Sequence, residues 1–428
     1  MNFKIQTERR KRMGLIASDL RGKTIGLASS GGLDSCTSTR WLTNRQVNVV
    51  SLIADLGQPD ESDLEAVGQR MLACGAVEAI IVDAQSAIAE AGLQVIQAQA
   101  KYEGGYWNTT GIARHVTVAA LLPELRKRGI KIFSHGATGR GNDQVRFQLA
   151  TNMLMPEMQV YAPWRDSAFL TAFGGRKEMI AFCKKYKLPV KATLKKPYST
   201  DANMLGLTHE AGELEFLTTP ADFVAAEMGV WPQAAPEKAV IVEIQFHEGK
   251  PIYFNGEVYG PVDMFKLCNQ IAGRHGIGIG LHTVENRFVG IKSRGVYEAP
   301  GMELLGRCYE YLLQAILDRR AKEFFDYISL QLAKQIYQGY WFDKASQMLR
   351  AALSEVTKLV TGTISVKLYK GNIFYVMSGN MPHSIYSATT SSMEKIGDFN
   401  HEDSEGFLRV LGVNARALAA AGQIGEEV

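Results

Sequence analysis

The first half of the chain alternates short apolar runs with longer stretches in which apolar residues recur at helical spacing. Short runs rich in aliphatic and β-branched residues are typical of buried strands, and the longer stretches favour helices. The predicted strands span residues 24–28, 47–55, 77–83 and 131–135. The predicted helices cover residues 36–42, the segment from 62 onward, the alanine-rich segment that ends at 98, and residues 116–127. This alternation predicts an α/β fold with a doubly wound parallel sheet, whose ligands bind at the carboxyl ends of the strands.

The pattern changes near residues 188–197, and the second half contains the paired apolar runs of antiparallel hairpins. The predicted hairpins join residues 240–246 to 251–258, and 361–369 to 372–378. Further helices are predicted at residues 262–272, through 308–342 and from 405 onward. This half therefore favours an α+β arrangement. We predict three units, which are residues 1–190, residues 191–400 and a C-terminal helical arm over residues 401–428.

The composition narrows the classes of partner. The chain has 428 residues, 46% of them hydrophobic, and a net charge of +3 from 47 basic and 44 acidic side chains. So balanced a charge gives no reason to expect nucleic acid as a partner. The five cysteines are scattered without a CxxC pair, which argues against a zinc site or a disulfide framework and favours reduced thiols. Since no apolar run reaches membrane-spanning length and no signal peptide is recognisable, we expect a cytoplasmic protein without membrane contact.

A glycine-rich loop, Ser-Ser-Gly-Gly-Leu-Asp-Ser at residues 29–35, follows the first predicted strand. Paired glycines let a phosphate approach the backbone closely, and the N-terminus of the next helix offers free N–H groups and a positive dipole. We expect Asp34 and Ser35 to cap that helix. The segment therefore predicts a phosphate-binding loop, with an ordinary strand-to-helix turn as the alternative.

The type of phosphate loop follows from its spacing. Gly26 and Gly31 imitate a Walker A loop, but Gly32-Leu33 stands where Lys-Ser/Thr is required, so a loop that cleaves the γ-phosphate does not fit. The sequence Ser-Gly-Gly-x-Asp-Ser is instead similar to the signature of the PP-loop ATP pyrophosphatases. The members of that superfamily split ATP between its α and β phosphates and hold pyrophosphate in the loop.

Three further segments, residues 136–147, 198–210 and 284–298, are more polar and richer in glycine than elements at their positions usually are. Together with the loop and Tyr-Trp-Asn-Thr-Thr at residues 106–110, they resemble the argininosuccinate synthase family. The resemblance runs from about residue 23 to about residue 415 in the family's order. Five ordered motifs are poorly explained by chance.

The resemblance implies a reaction in which citrulline, aspartate and ATP give argininosuccinate, AMP and pyrophosphate. The ureido oxygen of citrulline attacks the α-phosphorus, and the aspartate amine then displaces AMP from the citrullyl-adenylate. The resemblance also implies ATP and Mg²⁺ as cofactors, and a homotetramer that exchanges its C-terminal arms. Two amino-acid substrates require arginine, amide and hydroxyl donors as well as carboxylate acceptors, and the polar segments contain these residue types.

The family's site residues are carried over by motif. The residues implied to bind ATP are Ala28, Ser29, Ser30, Gly31, Gly32, Leu33, Asp34, Ser35, Cys36, Ala54, Gly136, Thr138, Asp143 and Asp201. Those implied to bind citrulline are Tyr106, Asn142, Arg146, Ser199, Thr208, Glu210, Glu285 and Tyr297. Aspartate is assigned to Thr138, Asn142 and Asp143, and catalysis to Asp34, Asp143, Arg146 and Asp201. No side chain is assigned as a metal ligand, and Arg114 is a weaker phosphate candidate.

Other interpretations stay open at this point. Glu285 with Arg287 also suits a surface ion pair, and Thr208 a helix cap. The chain departs from the family's usual residues at Ser29, Ser35, Cys36 and Gly111, which leaves room for a paralogue acting on another ureido or amide substrate. A catalytically silent nucleotide-binding regulator is a further alternative. A tRNA-modifying PP-loop enzyme fits less well, because it requires a thiol pair or a basic RNA-binding appendage.

Overall fold

The computed structural model describes residues 14–61, 63–190, 198–392, 394 and 400–425. The predicted boundary between the first two units adjoins residues 191–197, which lie outside the described residues.

The N-terminal half is built on a parallel sheet. Its elements in chain order are β1 (Thr24–Ala28), α1 (Leu33–Thr43), β2 (Asn48–Asp55), α2 (Leu64–Ala73), β3 (Glu78–Asp83), α3 (Gln85–Gln97), α4 (Thr109–Lys127), β4 (Ile132–His135), α5 (Asp143–Leu154), β5 (Gln159–Tyr161), α6 (Ser167–Ala172) and α7 (Arg176–Lys185). The strand order is β3-β2-β1-β4-β5, and all the pairings are parallel. The predicted doubly wound parallel sheet is therefore confirmed.

Both faces of this sheet are covered by helices. Leu27 belongs to a core with α1, α2 and α7 on one face, while Leu52 and Phe133 belong to a core with α4 and α5 on the other. A Cβ on Gly26 would lie 2.1 Å from Cδ2 of Leu125. The close packing of α4 on β1 therefore requires glycine there. This burial on both faces explains why the strands appear in the sequence as continuous apolar runs.

The start of α4 differs from the prediction, because the helix begins at Thr109 rather than at residue 116. Asn108 precedes it with a left-handed φ of 56°, and its side-chain amide donates to the carbonyls of Ala100 and Ala333. The first turns of α4 carry polar side chains toward the site, so they lack the apolar spacing by which the rest of the helix is recognised.

The C-terminal half contains two antiparallel sheets. Its elements are β6 (Ser199–Asn203), β7 (Gly206–Glu210), β8 (Val240–His247), β9 (Lys250–Phe254), β10 (Glu257–Val258), α8 (Pro261–Arg274), β11 (Val284–Asn286), β12 (Lys292–Glu298), α9 (Pro300–Ile316), α10 (Arg319–Gln338), α11 (Lys344–Thr357), β13 (Gly362–Tyr369), β14 (Asn372–Gly379) and α12 (His401–Ala420). The larger sheet, β10-β9-β8-β13-β14, contains both predicted hairpins. The smaller sheet, β11-β12-β7-β6, is made of two polar segments for which we predicted no strands.

One apolar core joins the two halves. It contains Ile88 of α3 and Ile112 of α4 together with Phe265 of α8, Leu305 of α9 and Leu332 of α10. The C-terminal arm α12, by contrast, contains no buried residue. All five cysteines are buried and have free thiols. Within the part of the chain that the structure describes, no helix has both the length and the apolar character needed to cross a bilayer.

Candidate active site

The phosphate-binding loop lies between β1 and α1. Gly32 is the N-cap of α1 in an extended conformation, and Ser30 and Gly32 are exposed at the surface of the loop. The predicted capping by Asp34 and Ser35 is wrong. The Asp34 carboxylate instead accepts from the indole N–H of Trp164 at 3.0 Å, and the Ser35 hydroxyl donates to the carbonyl of Gly32. The first N–H groups of α1 are consequently not used by a side-chain cap.

Side chains behind the loop fix its shape. The carbonyl of Gly31 accepts from Nη1 of Arg70 at 3.1 Å and from the Cys36 thiol at 3.5 Å. Gly31 has a φ of 70°, and a Cβ there would lie 2.7 Å from Arg70 and from Val67. The loop is therefore held from the protein side, and its open side faces the ligand space.

A second loop approaches the first from the end of β4. A Cβ on Gly136 would lie 3.4 Å from Cβ of Asp34, so the two loops are in contact there. Ala54 lies near the end of β2, on the strand that pairs with β1. Burial raises the pKa of Asp34, and the Trp164 indole opposes that shift.

A charged cluster links the parallel sheet domain to the polar sheet. The Arg114 guanidinium on α4 forms ion pairs with Asp143 at the start of α5, at 2.9 Å, and with Asp201 on β6. Arg146 on α5 donates to the other oxygen of Asp143 at 2.8 Å. Burial would raise the pKa of Asp143, but the two guanidinium groups lower it to about 2. Burial raises the pKa of Asp201, against the effect of Arg114.

The guanidinium of Arg146 has unused hydrogen-bonding capacity. This side chain is buried, and its Nε donates to the carbonyl of Tyr337 at 2.9 Å. Among the described residues, its Nη2 has no hydrogen-bond partner. Because a buried guanidinium N–H is costly to leave unpaired, this atom indicates a site for an anionic or carbonyl oxygen of a ligand.

Tyrosine rings form the next wall of the site. Tyr106 and Tyr297 lie with their ring centroids 4.7 Å apart, and the hydroxyl of Tyr106 accepts from the N–H of Thr110. The hydroxyls of Thr110 and Thr208 are 3.3 Å apart. Burial raises the pKa of Tyr297 well above its ordinary value, so this phenol stays neutral.

An acidic pair closes this pocket. Glu285 on β11 is buried and accepts from the Ser293 hydroxyl at 3.1 Å, whereas Glu210 at the end of β7 is partly exposed. Arg287 donates to Glu210 at 3.0 Å, and its Nε lies 4.0 Å from Glu285. The interpretation of Glu285 and Arg287 as a surface pair is therefore wrong. Thr208 lies within β7, so it is not a helix cap either.

The remaining predicted residues lie at the rim. Asn142 is buried beside the first turn of α5, and its Oδ1 accepts from the N–H of Phe288 at 2.9 Å. Ser199 is exposed at the start of β6 and pairs in register with Glu210. Thr138 is exposed on the loop that follows β4. The contacts thus link most of the predicted residues into one candidate site, which we call the cleft, with Thr138 and Ser199 exposed at its edge.

The departures from the family pattern have small local effects. The Ser29 hydroxyl donates to the carbonyl of Leu27, and the Cys36 thiol donates to the carbonyl of Gly31. A Cβ on Gly111 would make ordinary contacts, among them one of 3.6 Å to Cζ of Arg146, so this position lies next to the guanidinium.

Sequence reasoning missed three positions that support the site, namely Arg70, Trp164 and Tyr337. Arg70 lies in an ordinary amphipathic helix, and Tyr337 is one of two tyrosines in α10. Neither position shows a local signal. Trp164 lies in a short 3-10 helix, Pro163–Arg165, directly after β5. Its place at the carboxyl end of a parallel strand was the one available indication.

The chain is similar to known proteins over most of its length. Two family models match the chain, the arginosuccinate synthase N-terminal HUP domain over residues 24–189 and the arginosuccinate synthase C-terminal domain over residues 198–418. An argininosuccinate synthase from Rhodopirellula baltica is 41% identical over 396 residues, which cover 92% of this chain and 97% of the relative. A solved tyrosyl-tRNA synthetase from Leishmania major, in complex with tyrosinol, aligns over 81% of this chain and 48% of its own. Its TM-score of 0.19 and 10% identity are too low to indicate a shared fold.

Proposed function

Because the chain belongs to the argininosuccinate synthase family, it is an ATP-dependent ligase that joins citrulline to aspartate in arginine biosynthesis, and we propose that the cleft described above is where it does so. The observation that carries this assignment is the contact of Arg114 with both Asp143 and Asp201. It brings the polar sheet of the C-terminal half to the carboxyl edge of the parallel sheet, beside the phosphate loop.

The phosphate loop and its neighbours would hold ATP. Backbone N–H groups between Ser30 and Ser35 suit the pyrophosphate portion, because they lie at a helix N-terminus. Gly136 would pass close to the nucleotide, and Ala54 would lie beside it. The loop has no Walker lysine, so positioning and backbone donors would stabilise the departing pyrophosphate. Arg114 would act by keeping Asp143 and Asp201 in place.

The tyrosine-lined pocket would hold citrulline. Its acidic end, Glu210 and Glu285, suits the ammonium group of the substrate, and the unpaired Nη2 of Arg146 suits a substrate oxygen. Tyr106 and Tyr297 would flank the aliphatic chain. Ser199, Thr208 and Asn142 would supply further hydrogen bonds. The ureido oxygen would then point toward the α-phosphorus from the side opposite the departing pyrophosphate.

Aspartate would enter last, from the rim formed by Thr138, Asn142 and Asp143. Its amine would displace AMP from the citrullyl-adenylate with formation of a C–N bond. Asp143 is ionised because its pKa is about 2, so it can accept a hydrogen bond from the incoming ammonium group. The order of events follows from the chemistry, since nitrogen capture requires an activated ureido carbon.

Magnesium would enter bound to ATP. Mg²⁺ on a nucleotide needs one or two protein carboxylates in addition to phosphate oxygens and waters. Asp34 fits this requirement, because it is the acidic side chain of the phosphate loop and its orientation is fixed by Trp164. The described residues include no cluster of three or more acidic, histidine or cysteine side chains suited to a metal. The ion would neutralise charge on the phosphates.

We assign residues 1–190 to nucleotide binding and residues 191–400 to the amino-acid substrates. Residues 401–428 are assigned to assembly into a homotetramer. The exposed apolar side chains of α12, among them Phe407 and Leu411, support the last assignment, because such side chains are normally covered. A cytoplasmic location accords with the free thiols.

Isotope transfer tests the proposed chemistry. Citrulline labelled with heavy oxygen in its ureido group should transfer that label to AMP, because this oxygen attacks the α-phosphorus. Mass spectrometry of AMP and pyrophosphate, with aspartate present, measures the transfer. Label entering AMP from solvent water, or ADP as the nucleotide product, would overturn the proposal.

A further inference from the structure

The turn between β11 and β12 presents one cation to two acids. Arg287 is held in this turn by backbone hydrogen bonds, since its N–H donates to the carbonyl of Ile291 and its carbonyl accepts from the N–H of Gly290. The neighbouring N–H of Phe288 donates to Asn142. The position of Arg287 is therefore fixed from both sides of the turn.

The guanidinium itself is largely enclosed. Only 18% of the Arg287 side chain is exposed, and it lies 3.0 Å from Glu210 and 4.0 Å from Glu285. By contrast, 43% of the Glu210 side chain remains accessible, which leaves it within reach of a substrate. Arg287 thus contacts both acids while it is itself less exposed than Glu210.

We propose that Arg287 is a positioning residue that holds the carboxylates of Glu210 and Glu285 in place and sets the charge of the pocket to match one substrate ammonium group. This inference rests on the proposed function, because it takes the ligand of the acidic pair to be citrulline. Two carboxylates and one guanidinium carry a net charge of minus one. A substrate ammonium group would bring the set to neutrality, which lowers the cost of removing these charges from water on binding.

The groups around Glu210 explain why this cation is needed. Burial and the neighbouring acids Asp143, Asp201 and Glu285 together raise the pKa of Glu210 to about 7, against the lowering effect of Arg287. Each acid comes from a different element, namely α5, β6 and β11. Without Arg287, the remaining neighbours named here would all favour the neutral, protonated form of Glu210.

A pH dependence follows with a defined sign. An acid must be ionised to attract an ammonium group, so citrulline affinity should be high above pH 7 and fall as the pH drops through 7. Removing Arg287 raises the pKa of Glu210, and the fall should then begin at a higher pH. A purely structural role for Arg287 would weaken binding at every pH without moving this midpoint.

Calorimetry with a non-hydrolysable ATP analogue measures these effects between pH 6 and pH 9. We expect R287Q to bind citrulline about ten-fold more weakly at pH 7 and to show a midpoint shifted upward, with unchanged affinity for the analogue. K292Q removes the same charge from the same hairpin, where Lys292 contacts Asn286 at 2.6 Å, and it should behave like the unsubstituted enzyme. R287K keeps the charge and should keep the midpoint, and R287M, which also removes the charge, serves if R287Q does not fold.

An unmoved midpoint in R287Q, an equal shift in K292Q, or a shift in R287K as large as that in R287Q would each overturn the inference. Those outcomes leave the ligase assignment intact as long as the unsubstituted enzyme binds citrulline. Failure of the unsubstituted enzyme to bind citrulline would instead count against the proposed function.

Discussion

The two sheets that meet at the cleft are built in opposite ways. In the parallel sheet, β2 is buried from Val49 to Ile53, and the candidate chemistry lies beyond the strands in loops. In the small antiparallel sheet, the strands themselves carry the candidate ligands. The side chains concerned are Asp201 on β6, Thr208 and Glu210 on β7, Glu285 on β11 and Tyr297 on β12.

In the parallel sheet, the residues that stabilise the fold differ from the candidate ligands. In the small antiparallel sheet, the same strands do both. A loop at the end of a well-packed strand can change without cost to the core. A strand whose polar side chains face a ligand gains little from apolar burial, so its stability depends on pairing and on charged contacts. Substitutions should therefore affect activity alone in the first region, and both activity and stability in the second.

The largest effect should come from the phosphate loop. A Cβ on Gly32 would meet only Ser30 Oγ, at 3.4 Å, so Gly32→Val should fold normally. The added side chain would keep pyrophosphate from the backbone donors. We expect kcat/KM to fall by more than about 10³-fold, since losing one such donor is typically worth about 10²–10³. Steady-state kinetics and a thermal melt together test this expectation.

The matched control is Gly260→Val. Gly260 is also an extended N-cap glycine, it precedes α8, and no heavy atom would lie within 4 Å of its Cβ. It should leave both kinetics and melting temperature unchanged. Normal turnover by folded Gly32→Val would mean that the loop is only a turn.

An intermediate effect should come from the contact between the two regions. Arg114→Met leaves Asp143 and Asp201 facing each other, and we expect kcat/KM to drop about 10²-fold with a lower melting temperature. In the double variant with Asp201→Asn, the loss of kcat/KM should be smaller than the two single losses combined. The reason is that both substitutions break the same ion pair.

A double-mutant cycle on four purified proteins measures this coupling. The pair Arg128 and Glu78, 3.0 Å apart at the far end of α4, provides the control and should show little coupling because it is solvent-exposed. Strict additivity for Arg114 and Asp201 would show that the two regions act independently.

The smallest effect should come from the acidic pair. Glu210→Gln and Glu285→Gln keep the shape of the side chain but remove its charge, so each should weaken citrulline binding by about 1.5–3 kcal/mol while ATP binding is kept. Glu248→Gln, in the exposed turn between β8 and β9, is a suitable control. Equal losses for citrulline and ATP in calorimetry would rule out this assignment.

The same contrast explains what the sequence could reveal. The parallel sheet and both apolar hairpins were predictable, because their burial leaves a periodic pattern. The β6–β7 and β11–β12 strands were not predictable from periodicity, because polar candidate ligands occupy alternating positions that would otherwise be apolar. The candidate ligands on these strands came instead from the resemblance to a known family.

The sequence did not reveal which residues far apart in the chain contact each other. Arg70 contacts Gly31 across 39 positions, Trp164 contacts Asp34 across 130, and Arg287 contacts Glu210 across 77. Local composition carries no information about which distant residue a side chain will meet. Such contacts become visible only when the fold brings the segments together.

The apolar core shared by the two halves limits how the protein can move. A hinge-like separation of the halves would bring Ile112, Phe265 and Leu305 into water, at about 25 cal/mol for each Å² of apolar surface exposed. Rigid-body opening is therefore disfavoured, in contrast to domains joined by small polar interfaces. Substrates therefore have to enter, and products have to leave, without separation of the two halves.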